Sequence, residues 1–165
     1  MKTKTKVIIG AAIASTLAGL ALATPIFNLT SPVLATGTDN TWIDEHGAAT
    51  AANGESFTAS LTTQGPSTIL IQDAAYLPGG HNGWHSHPGL VVVTLVAGSI
   101  QWFDANCKPT FYTAGDSWVE GGQVHYFRVV STSNVHIMAS YVIAQGEPSR
   151  TDQPAPACAA ALGLD

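Results

Sequence analysis

The chain has 165 residues, six of them Lys or Arg and 11 of them Asp or Glu, a length that fits one domain behind a targeting segment. Lys2, Lys4 and Lys6 precede an uncharged run from Val7 to Ala23, and beyond that run Lys108, Arg128 and Arg150 stand alone against all of the acids. So acidic a surface repels phosphate backbones and anionic bilayers, which argues against nucleic-acid binding and against peripheral attachment to anionic membranes.

In chain order, the basic start and the apolar run read as the n-region and h-region of a secretory signal. Two small-residue sites could be cleaved, Ala21-Leu22-Ala23 and Val33-Leu34-Ala35; polar sequence from Gly37 onward favours the second and gives a signal peptide over residues 1–35. The expectation is a secreted or periplasmic protein. The alternative is a membrane anchor formed by the uncleaved segment, since the run lies at the lower limit of what spans a bilayer.

Residues 36–55 are rich in Ala, Thr, Gly and Asn and read as a flexible arm with at most one short strand near Trp42. From Ser56 the texture becomes β, and residues 56–145 are expected to form the folded domain. Ser56–Thr63 alternates Phe57, Ala59 and Leu61, and Ser67–Leu77 is a longer strand ended by Pro78-Gly79-Gly80. Leu90–Ala97 is nearly all branched and apolar, which suits a strand buried on both faces or a contact between two copies of the chain, a homodimer. Ser99–Asp104 and Thr110–Thr113 flank a loop as a hairpin; Ser117–Glu120, Gln123–Val130 and Val135–Ala144 follow after Gly-rich or polar turns. Residues 146–165 form a tail without regular period. About eight short strands, evenly spaced, with no helix after the leader, read as an all-β sandwich or barrel.

Cys107 lies in the hairpin loop and Cys158 in the Pro- and Ala-rich tail. In an oxidising compartment such a pair is expected to form a disulfide.

The triplet His85-Ser86-His87 carries the chemistry. Residues two apart on a strand share a face, so both imidazoles can reach one ion. Gly79, His85, His87 and Gly98 fall at the spacing of the first cupin motif, with Val91 where that motif has a Glu. Gly115 and Gly122-Gln123-Val124-His125 resemble the second motif, with Glu120 where Pro is usual, Val129 in place of an Asn, and a gap after Gly115 that is one residue short. The resemblance to the cupin superfamily covers about Ile69 to Ile143, and the stretch Trp84-His85-Ser86-His87-Pro88-Gly89 is similar to one in a group of exported bacterial cupins.

The resemblance implies an antiparallel cupin barrel, a double-stranded β-helix or jelly roll, with a divalent metal ion on His85, His87 and His125. Three neutral imidazoles do not select among Fe, Mn, Cu, Zn and Ni. A three-His set resembles that of some cupin dioxygenases, so the expected function is a metal-dependent, oxygenase-type enzyme acting on a small molecule. The alternative is a non-catalytic module that binds a metal or a small ligand. Val91, Val93, Glu120, Phe127 and His136 are candidates for the pocket lining. Glu120 reads either as a surrogate carboxylate or general base, or as a solvated turn residue. His81 reads as a rim residue and His46 as part of the exposed arm. Tyr112, Tyr126 and Tyr141 read as packing residues, and Trp102, Phe103 and Met138 as core or pocket lining.

Overall fold

The computed structural model describes residues 23–164, so the basic start and most of the apolar run lie outside the described residues. The strands follow the alternation written in the sequence. Over Val135–Ala144 the side chains of Val135, Ile137, Ala139, Tyr141 and Ile143 are buried while those between them are turned outward, the period-two pattern of a strand with one face on a core.

Thirteen strands occur in the described residues. They are β1 (Phe27–Thr30), β2 (Val33–Asp39), β3 (Asp44–Thr50), β4 (Ser56–Thr62), β5 (Ser67–His81), β6 (His85–Ser86) and β7 (Gly89–Ala97). Then come β8 (Ser99–Asp104), β9 (Pro109–Thr113), β10 (Ser117–Glu120), β11 (His125–Val129), β12 (Val135–Ala144) and β13 (Thr151–Asp152), with one 3-10 turn at Ala160–Leu162. On one side of the barrel β10, β7, β12 and β5 lie in that order, and β2 and β1 cover the other edge of β5. On the opposite side β9, β8, β11, β6 and β13 follow one another. The far end of β5 joins the two sides where His81 faces Arg128. All pairings are antiparallel, and the result is a nearly closed barrel.

Its core is Val91, Val93 and Leu95 of β7, Ile100 of β8, Trp118 of β10, Phe127 and Val129 of β11, and the inner face of β12. Burying one such side chain contributes roughly 1.5–3 kcal/mol against leaving it in water. The turn between β7 and β8 depends on Gly98, at φ 81°, where a Cβ would stand 2.8 Å from Val135 Cγ2.

Three segments differ from their reading in sequence. Strand β7 is buried on one face: Val91, Val93 and Leu95 point inward, while Leu90, Val92 and Val96 are exposed. The alternation is invisible because both faces carry branched apolar residues. The stretch 36–55 is ordered rather than a loose arm: β2 pairs with β5 from Val33 to Asp39, and β3 forms a hairpin with β4. Strand β4 therefore pairs outside the barrel. That hairpin has almost no buried side chain; β4 shows the alternation of Phe57, Ala59 and Leu61, whereas β3 gave no hydrophobic period to read.

The third is the tail. Cys107 and Cys158 are brought to bonding distance, with their Cα atoms 6.1 Å apart. The tail then covers Trp84, fully buried among Phe103, Tyr126, Ala159 and Leu164, and the indole donates to the Leu164 carbonyl at 2.8 Å. The 51-residue separation makes the closed loop worth about 4 kcal/mol in the chain-entropy model. Reduction, or Cys158→Ser, should lower stability on that scale and red-shift Trp emission as Trp84 meets water; an unchanged emission maximum would contradict this account of the tail.

The N-terminal strands also bear on processing. Thr24 is buried, and a Cβ on Gly83, at φ 66°, would stand 2.2 Å from the Thr24 carbonyl oxygen. Gln72 of β5 donates to the Ser31 carbonyl. A chain beginning at Thr36 would lose these contacts and the first three of the seven residues of β2, whereas one beginning at Thr24 keeps them. The shorter form should melt lower by about 5 °C or more, the shift expected for one to two kcal/mol in a domain of this size. Equal melting temperatures would show that residues 24–35 add nothing to the barrel.

Candidate metal centre

Strand pairing assembles the site. His125 of β11 is the cross-strand partner of His85 of β6, and His87 follows one residue past the end of β6. The ring centroids lie 4.3 Å apart for His85 and His125, 4.8 Å for His85 and His87, and 5.1 Å for His87 and His125. One nitrogen from each ring falls within 4.8 Å of the other two, and all three residues are buried.

Each ring is oriented by its other nitrogen. Nδ1 of His85 lies 2.9 Å from the Gly83 carbonyl, Nδ1 of His125 lies 2.9 Å from the Gln123 carbonyl, and Nδ1 of His87 lies 2.7 Å from the Ser149 carbonyl. A carbonyl oxygen only accepts, so Nδ1 is the protonated nitrogen in each ring and donates. Nε2 is then left with a lone pair whenever the imidazole is neutral. The Nε2 atoms of His87 and His125 are buried with no hydrogen-bond partner. Three convergent, preoriented imidazoles, two of them with a buried Nε2 that has no hydrogen-bond partner, form a donor set that could hold a cation, and a carbonyl behind each ring is the outer support common around metal-binding His. The residues present fit a divalent ion.

Glu120 belongs to the same cluster. Its side chain is 7 % exposed, and Oε2 lies 3.3 Å from Nε2 of both His87 and His125. Oε1 accepts from the indoles of Trp118 at 2.8 Å and Trp102 at 3.0 Å, and Trp102 stacks on the His125 ring. The reading of Glu120 as a solvated turn residue is therefore corrected. It is the last residue of β10, paired with β7, and it follows Trp118 on the inward parity.

The charges follow from these contacts. Burial, reinforced by the neighbouring His125, holds His85 well below the ordinary imidazole value of 6.5. His125 feels the same burial, but the adjacent Glu120 outweighs it and raises the imidazole. Burial would raise the Glu120 carboxyl, yet His125 and His87 beside it carry it well below 4.5, so it is ionised.

A cavity of about 220 Å³ opens beside the cluster. Its wall includes His85, His87, Glu120, Val93 and Phe127, together with Tyr141, Gln72 and Arg150. Burial pushes the Tyr141 phenol up to about 12, and its hydroxyl donates to Gln72 at 2.7 Å, so Tyr141 is a neutral polar group. Arg150 donates to the Asn82 carbonyl at 2.8 Å and pairs with Asp152. Ile26 and Leu29 border the cavity from the N-terminal segment.

Two expected lining residues are elsewhere. Val91 is buried in the core but does not border the cavity. His136 has the outward parity of β12 and pairs with Asp73, away from the cavity. His81 stacks between Phe27 and Tyr126, outside the three-His group. Ser149 and Arg150 carried no signal in the sequence beyond one basic residue in a tail, because their places are set by β13 pairing with β6.

No family model matches the chain, and no curated protein matches it. Solved structures do. A cupin domain from Bordetella pertussis Tohama I is 17% identical, over 71% of this chain and 95% of its own, at a TM-score of 0.46. An uncharacterized conserved protein with a double-stranded β-helix domain from Klebsiella pneumoniae is 26% identical, over 52% of this chain and 73% of its own, at a TM-score of 0.42. A predicted oxalate decarboxylase from Thermotoga maritima is 20% identical, over 48% of this chain and 81% of its own, at a TM-score of 0.40. In this chain the two motif segments meet through the His85–His125 pair inside an antiparallel barrel. The fold is that of a cupin.

An ion at the three Nε2 atoms would compete with a proton for His125. Apparent affinity for a divalent ion should therefore fall as pH is lowered past neutrality, where His125, raised above 6.5, protonates. Binding near pH 7 should release protons. Calorimetric titration in two buffers of different ionisation enthalpy counts them, and no release at any pH would contradict the proton assignment.

Proposed function

We propose that this chain is an exported, metal-dependent cupin enzyme that uses His85, His87 and His125 to hold a divalent ion and acts on a small molecule bound in the adjoining cavity. The observation that carries the reading is that His85 and His87 border the cavity of about 220 Å³, so an ion on them faces enclosed space rather than protein on every side. A structural ion is closed off by its ligands, whereas a catalytic one keeps a position open. When bound, the ion would supply Lewis acidity toward an oxygen-bearing group and, if redox-active, access to oxygen chemistry.

The chain's own residues supply the rest. Val93, Phe127, Ile137 and Ala139 give the cavity an apolar wall that limits water. Tyr141 and Gln72 offer neutral hydrogen bonds, and Arg150 is the one cationic side chain on the wall among the described residues, suited to an anionic group on the small molecule. Export is supported by the Cys107–Cys158 pair, which persists in an oxidising compartment.

Metal analysis of the purified protein tests the reading. One equivalent of a redox-active ion such as iron or copper, with oxygen consumption in the presence of candidate substrates, is the expected result. One equivalent of zinc without turnover would point instead to a non-catalytic binding module, and no metal under any loading condition would overturn the metal site. His87→Ala should remove most of the thermal stabilisation that the ion gives to the wild-type chain.

A further inference from the structure

We propose that Glu120 is the fourth protein ligand of the ion, a carboxylate delivered from β10 in place of the one that the first cupin motif would place at Val91 on β7. This rests on the metal-binding reading above and adds to it.

Glu120 and Val91 are direct cross-strand partners in the β10–β7 register. A carboxylate exchanged between two such positions stays in the same part of the barrel, because opposed Cβ atoms are about 4.5–5.5 Å apart. The substitution that empties the first motif is thus matched by one that fills the second, where Pro is usual.

The local geometry then assigns a role to each oxygen. Oε1 is satisfied twice, by Trp118 and Trp102. Those two indole donors fix the carboxylate and leave Oε2 pointed at the imidazoles, 3.3 Å from two Nε2 atoms. With Nδ1 donating to a carbonyl in each ring, the neutral Nε2 atoms are acceptors, and Oε2 is an acceptor as well. Acceptors gathered in a buried space repel unless a cation lies between them. A single proton can bridge Oε2 to one nitrogen only, whereas one metal ion can take Oε2 and all three nitrogens together. The carboxylate also lowers the charge of a divalent ion, which three imidazoles cannot do.

Alternative uses fit less well. A general base needs a lone pair free for substrate, and Oε2 is turned toward the His cluster. A purely structural anchor for two indoles would use Oε1 alone, and a neutral amide would serve.

That last point supplies the test. Glu120→Gln keeps an acceptor for both indoles and removes the negative charge. Mn(II), Co(II) and Zn(II) are titrated into wild type and variant, with affinity read by calorimetry and the ligand set by the Co(II) absorption spectrum. The expected result is a loss of affinity of about ten-fold or more, on the scale of a lost metal-site interaction, with a changed Co(II) spectrum. A second measurement needs no variant: infrared difference spectra of the wild-type chain should show a buried carboxylate band shifting as the ion binds. Tight binding by wild type, with equal affinity and an identical Co(II) spectrum in the variant, would overturn the role of Glu120 and leave the three-His site standing. An unshifted carboxylate band would do the same. Failure of wild type to bind any of the three ions would overturn both readings.

Discussion

Three hydrogen bonds from imidazole Nδ1 to backbone carbonyls govern what this barrel can do. Each fixes a tautomer, and together they commit three Nε2 lone pairs to one place. Without them the histidines could rotate, exchange tautomers and hydrogen-bond to one another. Two of the three carbonyls, of Gly83 and Gln123, lie two residues before their own histidine, so a local turn sets those rings. The third comes from Ser149, 62 residues beyond His87, and makes the site depend on the tail.

The remaining architecture serves that arrangement. Antiparallel register places His125 against His85, and the β10–β7 pairing brings Glu120 to the same side. Trp102 and Trp118 each present a flat apolar face and one donor, so they exclude water from Glu120 while satisfying one of its oxygens. Asn82 does comparable work at the other end. Buried in the Gly-rich loop, it accepts from the Phe127 amide and holds the start of the first motif against β11.

Much of this was legible in the sequence. Period-two alternation and Gly-rich turns gave most barrel strands; strand parity put His85 with His87, and the resemblance to the second cupin motif added His125. The failures have physical causes. His136 was one residue out of parity, and a parity error turns a side chain to the other face. Val91 was placed at the cavity by its position in a linear motif, yet it lies in the core, and the buried carboxylate is that of its cross-strand partner Glu120, a pairing that a linear pattern does not state. Glu120 was read both as a surrogate carboxylate or general base and as a solvated turn residue, because a strand end followed by two glycines carries no linear signal of burial. Strand β4 was announced by the alternation of Phe57, Ala59 and Leu61, but its partner β3 has no buried face, so no hydrophobic period announced the hairpin. Ser149 acts through its backbone, for which residue identity carries no signal.

The tail has a consequence for maturation. Ser149 lies on the segment that β13 pairing and the Cys107–Cys158 link hold against the barrel, so His87 gains its oriented ring only once that segment is in place. On the proposed reading of an exported metal protein, a reduced chain would lack one of the restraints on that segment, and the His87 ring would be best oriented in the compartment where the disulfide closes.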